Sequence, residues 1–523
     1  MPQNFIAVDR DQAFLMPPSL RDWVAEDHLV WTVLAAVAEM DLSALYAAYR
    51  LDGHGRPAYE PSLMVALLMY AYSQGNRSSR GIERKCREDV AYRVIAANLV
   101  PDHSTIAEFR ARHETALAGL FSEVLGLCRA AGMVNVGVIA VDGTKVHANA
   151  SNMANRDYRQ IALEILKEAD RIDREEDELY GDQRGDELPE HLRTPEGRRA
   201  ALKEAKRRLD RERAEREQPS KCAASEDPAE NRDLETSFEL DPEVIVARVQ
   251  GRQGWLREAK RQLDMRREQQ PRPVPASRVG RLLVGEQKLS EDLAVEREAN
   301  RSYEAWRARG VAADGSRRMA PGMLKPYVPP AEPAGKVNTT DPDSKNVKAF
   351  RGYVQGYNAQ AVVTEQQIVI AAEVNIDPQD FSHLGPMVTA ARAELERAGV
   401  TEPVGVVLAD AGYWHFQQMD ELAADGIPVL IPPDATKRKT PRPGWDGGRY
   451  AWMRRLLATE LGRERYSKRH QTIEPVFGQI KYNRRIDRFQ RRGRTAVRSE
   501  WRLAAMTHNL LKLHQHRIAA AAA

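Results

Sequence analysis

Cysteine is scarce in this chain. Three cysteines, Cys86, Cys128 and Cys222, are scattered over 523 residues with no metal-type spacing. That argues against a disulfide framework or a zinc site and fits a reducing compartment. Long apolar runs are absent too. No stretch reaches the roughly 18 residues that a membrane span needs, so no membrane association is expected. The first residues, Met-Pro-Gln-Asn-Phe-Ile-Ala-Val-Asp-Arg, lack a charged head followed by an apolar stretch. No secretory signal is therefore expected, and the expected location is cytoplasmic. Net charge is only +3 although 29% of residues are charged, so the total says little about nucleic acid. The distribution says more, because basic residues concentrate near the C-terminus. A hydrophobic content of 42% is enough for a core, and the length suggests two or three domains.

The C-terminal basic segment contains a conspicuous acid. Glu474 lies in Tyr466-Ser-Lys-Arg469-His-Gln-Thr-Ile-Glu474-Pro-Val-Phe-Gly-Gln-Ile-Lys481, with Arg484, Arg485, Arg488, Arg491, Arg492, Arg494 and Arg498 just after it. A carboxylate on a phosphate-binding surface repels phosphate unless a divalent cation bridges the two. Two upstream partners suit that role. Asp142 closes Val-Gly-Val-Ile-Ala-Val-Asp142-Gly-Thr, and Asp410 closes Pro-Val-Gly-Val-Val-Leu-Ala-Asp410-Ala-Gly-Tyr-Trp. Both runs read as buried strands of a mostly parallel sheet. Their carboxyl ends are where α/β sheets bind ligands. Mg2+ prefers a few carboxylates together with phosphate oxygens and water. Two such ions, with Mn2+ able to substitute, clamp the attacking and leaving oxygens of a displacement at phosphorus.

Each acid has a structural reading as well. Asp142-Gly143 is also a type I′ hairpin signal, Asp410 is also a helix N-cap, and Glu474-Pro475 also suits the first turn of a helix. The catalytic reading rests on all three occurring in order with a basic segment behind the third. His147 and His415 each follow a candidate Asp by five residues; structural roles are expected for both, since Mg2+ prefers oxygen ligands.

Residues 1–132 read as helical. Pro61–Tyr72 looks like a buried helix opened by proline, and Ser104-Thr105 with Glu108 resembles a capping signal. Arg80, Arg84, Lys85, Arg87, Arg110 and Arg112 either contribute to a helix-turn-helix-like DNA reader or form the solvated faces of a bundle. A charged helical segment, 151–345, interrupts the chain after the Asp142 strand. Proline-rich joints at 270–275 and 326–333 mark it as a helical arm or as a partly disordered spacer. A second helix is expected to begin at Thr194-Pro195, with Leu202, Ala205 and Leu209 on one face. An antiparallel hairpin is expected around Thr364-Glu365-Gln366, then a helix, the Asp410 strand, a helix, a short strand near 427–431 and a final helical pair from about 474 to 515. At helical spacing Lys481, Arg484, Arg485, Arg488 and Arg492 fall along one stripe that suits DNA phosphates.

These motifs together resemble the DDE transposases of bacterial insertion sequences, in the group with a Tyr-x2-Arg-x3-Glu-x6-Lys signature around the third acid. Tyr466 to Arg469 and Glu474 to Lys481 keep that spacing; Arg469 to Glu474 is one residue longer. The Val-Asp142-Gly-Thr and Ala-Asp410-Ala-Gly-Tyr contexts, Gly356-Tyr-Asn-Ala-Gln360, and Pro101-Asp-His-Ser-Thr-Ile-Ala-Glu-Phe-Arg110 are similar to the same group. The resemblance covers most of 10–150 and 340–515. It implies an α/β catalytic core with a ribonuclease H-like mixed sheet flanked by helices (133–150 plus 346–516), an all-α N-terminal DNA-binding and dimerisation domain (1–132) and a helical insertion (151–345). It further implies a DNA transposase with Asp142, Asp410 and Glu474 as catalytic and metal-holding residues and two Mg2+ ions. Tyr466, Arg469, Lys481, Arg484, Arg485, Arg488, Arg491 and Arg492 are then expected to contact DNA. The implied partners are element ends with inverted repeats, target DNA and a second copy of the chain, with the protein nucleoid-associated when bound. The alternatives are a metal-dependent nuclease that cuts without joining and a catalytically inactive DNA-binding derivative.

Overall fold

The apolar run that ends at Asp142 forms β1 (Val138–His147), the strand around which a mixed six-stranded sheet is built. The coordinates, a computed structural model, describe residues 19–49, 58–180, 252–270, 272–308, 327–349, 352–434 and 444–522. A two-stranded ladder of β2 (Asn155–Arg156) and β3 (Val337–Asn338) closes the start and return of the insertion. The main sheet adds β4 (Lys345–Ala349), β5 (Gly352–Thr364), β6 (Val369–Asn375), β7 (Val406–Ala409) and β8 (Val429–Leu430). β1 runs antiparallel to β5 and parallel to β7, and β8 continues parallel beyond β7. The far edge of β5 pairs first with β4 and then with β6. The β5–β6 connection is the expected antiparallel hairpin. Asp142-Gly143 makes no turn: β1 runs straight through both residues, each paired across to β5.

The register between β1 and β7 positions the candidate acids. Val141 lies opposite Ala409 in the parallel ladder, so the next residue on each strand, Asp142 and Asp410, stands at adjacent strand ends. Neighbouring strands are about 4.8 Å apart. The strand residues just before both acids, Ile139–Val141 and Val407–Ala409, are buried.

Helices cover the sheet. The long helix Arg494–Ala522 packs against β6 and also against the N-terminal helices Pro61–Ser73 and Glu114–Ala130. It is buried on almost every side from Ala496 to Leu510, as expected of a helix enclosed between two layers. Trp501 donates its indole N–H to the Gln360 carbonyl at 2.9 Å, which satisfies the one polar atom of a fully buried ring. The N-terminal helices and the sheet fall in one compact unit, 1–157 with 261–289 and 335–523.

A second unit comprises 158–260 and 290–334. It contains the helix Tyr158–Tyr180, and the helices Arg252–Gln269 and Arg278–Ala308 each contribute part of their length to it. Trp255, Tyr303 and Trp306 pack there with ring centroids 5.5–5.8 Å apart. The remaining part, 261–289, belongs to the first unit. Asp264 pairs with Lys345 at 2.9 Å, and Lys288 pairs with Asp343 at 3.1 Å. The helix expected from Thr194-Pro195 lies outside the described residues.

Candidate functional site

Asp142 receives the Gly143 amide at 2.8 Å and the Arg469 guanidinium at 2.6 Å. Arg469 comes from the helix Glu460–Thr472, which Thr459 caps through the Gly462 amide. Tyr466, one turn earlier, donates its hydroxyl to the Ala409 carbonyl, immediately before Asp410. These two side chains thus fasten the helix that precedes Glu474 to the two acid-bearing strand ends. Asp410 caps its own turn by accepting the Gly412 amide at 2.8 Å. The N-cap reading is thus correct for Asp410, and it leaves the strand-end position intact.

Glu474 opens the short helix Glu474–Gly478, with Pro475 in the first turn. Its carboxylate is half exposed and accepts His470 Nδ1 at 2.8 Å. Its charge is felt by Arg469, which is held mainly by Asp142. Among the described residues, no three His, Cys, Asp or Glu side chains converge closely enough to ligate one ion. The structure therefore brings Asp142 and Asp410 together and leaves Glu474 nearby, turned toward His470.

Burial dominates the electrostatics. It pushes the Asp142 carboxyl up to about 7, against the pull of Arg469, and the Asp410 and Asp380 charges push the same way. Burial likewise raises Asp410 above the ordinary carboxylate range. Buried aspartates that repel one another, with oxygen donors only, make a donor set suited to a hard divalent cation.

Asp380 was not anticipated from the sequence. It lies after β6 and receives Asn358 Nδ2 at 2.8 Å, Gln360 Nε2 at 2.8 Å and Lys145 Nζ at 3.2 Å, all on Oδ1. Gly143 pairs with Gln360 and Lys145 with Asn358 across the β1–β5 ladder, which explains why these heads converge. Gln360 also accepts the Tyr413 hydroxyl, linking the network to the turn after Asp410. The sequence signal available was the polar pair Asn358 and Gln360, two residues apart on one face of an otherwise apolar strand.

The expected DNA contacts divide. Lys481 lies against β1, donating to Thr144 Oγ1 and the Lys145 carbonyl, each at 2.9 Å. The helical stripe from Lys481 to Arg492 does not form. Gln479–Asn483 is a π-helical turn, residues 484–493 are irregular, and the next helix begins at Arg494. Arg484 is buried, donating to Thr507 Oγ1 at 2.8 Å and the Ala504 carbonyl at 3.0 Å, so it is not a surface contact. Arg491 pairs with Glu114. Arg485, Arg488 and Arg492 are exposed, and Arg492 also donates to the Asn149 carbonyl at 3.1 Å. In the N-terminal helices, Arg80, Arg84, Arg87 and Arg112 are exposed, whereas Arg110 is buried and donates to the Arg77 carbonyl at 2.8 Å. Asp102, not Ser104 or Thr105, caps the helix His103–Arg112. His147 is partly buried in β1, and His415 caps the helix Phe416–Ala424.

Among the described residues, no helix is long and apolar enough to cross a membrane. Neither a curated protein nor a solved structure matches the chain. Two family models do. Residues 18–112 match one described as a transposase domain (DUF772), and residues 437–514 match one described as a transposase DDE domain. The second match includes Tyr466, Arg469, Glu474 and Lys481, while Asp142 and Asp410 lie outside both. A transposase-family match near each end of the chain supports a DDE transposase of the insertion-sequence type.

Proposed function

We propose that this transposase cleaves DNA at the ends of an insertion element and joins the freed 3′ end to target DNA, on a ribonuclease H-like core that uses Asp142, Asp410 and Glu474. The observation that carries the reading is the β1–β7 register, which puts Asp142 and Asp410 at adjacent strand ends beneath the helix leading to Glu474. Asp142 and Asp410 would hold Mg2+, with Glu474 as the third acid. A bound divalent cation supplies Lewis-acid polarisation and charge neutralisation at the reacting phosphate. The chain's own residues do the rest. Lys481, fixed on β1 two residues beyond Asp142, offers positive charge to a neighbouring phosphate. Exposed Arg485, Arg488 and Arg492 hold the DNA backbone. Arg469 balances Asp142 while no cation is bound.

The test uses duplexes carrying the DNA that flanks the reading frame, with Mg2+ and a target plasmid. Cut and joined products are expected. Asp142→Asn, Asp410→Asn and Glu474→Gln should each lower both by about a thousandfold, equivalent to roughly 4 kcal/mol of lost transition-state stabilisation. Cutting without joining would favour a nuclease, and binding without cutting a catalytically inactive DNA-binding protein.

A further inference from the structure

The arginine-bearing loop after the π turn is held from two sides. On one side stands β1. Arg488 bridges to His147 in parallel register, with the His147 amide donating to the Asp487 carbonyl at 3.0 Å and the Phe489 amide to the His147 carbonyl at 2.8 Å. Asn149 Nδ2 adds a bond to the Gln490 carbonyl at 2.7 Å. On the other side lies a buried ion pair, Arg77 with Glu500 at 2.9 Å. Arg77 also donates to the Arg488 carbonyl and, at 3.0 Å, to the Arg485 carbonyl. Glu500 accepts the amides of Gln490 and Arg491 at 3.0 and 3.1 Å. Arg485 has φ +55°, a left-handed backbone that a residue other than glycine keeps only where its surroundings impose it. These bonds all reach the loop through its backbone, so the side chains of Arg485 and Arg488 stay exposed. The exposed arginines of the helix Ser79–Glu88 differ: Arg84 faces Glu88 at 3.9 Å, and Arg87 faces Glu83 at 2.7 Å.

We propose that this loop is a fixed spacer that sets how far from the cut the DNA backbone is gripped, and that Arg77 is the positioning residue that locks it. The proposal rests on the reading of Arg485, Arg488 and Arg492 as DNA contacts. β1 carries Asp142 and, five residues on, His147, a span of about 17 Å of strand. The loop is bridged to that far end, so the phosphates it holds lie within one helical turn of the cut, about 34 Å of duplex. A buried ion pair contributes little net stability over apolar residues of similar volume. What Arg77 and Glu500 supply is a defined backbone, since the one pair satisfies four backbone groups of the loop. Lysine has the same charge but carries its donors on a single nitrogen. It lacks the planar fork that reaches two carbonyls and a carboxylate at once.

Arg77→Lys keeps the charge beside Glu500 and releases the loop backbone. Binding of the full-length protein to a duplex carrying the DNA that flanks the reading frame is measured over a salt series, below the melting transition. The change is made alone and combined with Arg485→Ala, Arg488→Ala and Arg492→Ala. Arg77→Lys alone should weaken binding by about tenfold and lower the salt slope by about one to two. In the triple-alanine background it should have no further effect, because it acts through side chains that are no longer there. Wild-type affinity and slope in Arg77→Lys, or an equal loss in both backgrounds, would overturn the positioning role and leave the loop standing as a DNA contact. Unchanged affinity in the triple variant would overturn that reading as well. The wild-type chain supplies a measurement that needs no change at Arg77. Single methylphosphonates, each removing one phosphate charge, are scanned along the same duplex, and the cut is mapped on it with Mg2+. Positions that weaken wild-type but not triple-variant binding are expected within about ten base pairs of the cut. Positions farther out would overturn the fixed spacing.

Discussion

Asp142 has an arginine at 2.6 Å and is still harder to ionise than an ordinary aspartate. Desolvation and two neighbouring carboxylates outweigh the ion pair, which is the usual outcome when acids are gathered in a buried place without their cation. The consequence for stability has a definite sign. The carboxyl is raised from its ordinary 3.8 to about 7 in the folded chain, so the stability it contributes is complete below about pH 4 and is lost as pH rises through 7. At pH 8 without metal the cost is on the order of 2–4 kcal/mol. Asp142→Asn is therefore expected to melt higher than the wild type at pH 8 with chelator, with the gap closing toward pH 4. Adding Mg2+ at pH 8 should raise the wild-type melting temperature and leave the variant unmoved. A variant that melts lower than wild type at pH 8 would show that Arg469, left without its partner, matters more than the relieved repulsion.

At the scale of elements, the segment 479–493 departs most from a sequence-based reading. Its arginines fit a helical stripe by spacing, but the π turn reseats the chain, and Arg485 then leaves the helical path at φ +55°. Arg484 turns inward to Thr507 and Ala504, while its carbonyl presses against Gly75, where a Cβ would meet that oxygen at 2.4 Å. Gly75 itself has φ +71°, so no other residue suits that contact. A buried arginine costs several kcal/mol when its fixed partners lose it, whereas an exposed one costs within about 0.5 kcal/mol. Arg484→Ala should accordingly lower the melting temperature sharply. The triple change Arg485→Ala, Arg488→Ala and Arg492→Ala should leave it nearly unchanged, while weakening binding to all DNA sequences and reducing the salt slope by about one per lost phosphate contact. Filter binding across a salt series measures this, and an unchanged slope would remove these residues from the interface. The two classes of arginine were not separable in the sequence, because what buries Arg484 lies some twenty residues ahead and four hundred behind. The strands were legible because β-branched runs announce themselves locally, and with them came the positions of Asp142 and Asp410. Asp380 follows a strand without any motif of its own, and only the β1–β5 register gathers Lys145, Asn358 and Gln360 around it.

For the whole molecule, the sequence marks an insertion between 151 and 345, and the packing divides it differently. Residues 158–260 and 290–334 cohere with one another, while 261–289 cohere with the unit that holds the sheet. The reason lies in particular contacts. Asp264 holds Lys345 at the start of β4, Lys288 holds Asp343, and Asp343 also accepts the Arg494 amide at 3.0 Å where the long C-terminal helix begins. Val274 packs so closely on Gly493 that a Cβ there would stand 2.6 Å from it. The base of the insertion is thus tied to the strand and helix that frame the site, and proline-rich spacing alone could not reveal this. Removing all of 155–335 should destabilise the remaining chain, since it strips Asp343 and Lys345 of partly buried partners, losses worth about 3 kcal/mol or more together. Removing 158–260 and 290–334 while keeping 261–289, with short Gly-Ser linkers at both joints, should preserve a cooperative thermal transition. The second joint needs little length, because Leu289 lies 3.8 Å from the Cβ position of Gly335. Circular dichroism melts of the two deletions decide the matter. Equal stability of both would show that 261–289 contributes nothing to the sheet unit, and aggregation of the smaller deletion would show that the second unit is needed for the first to fold.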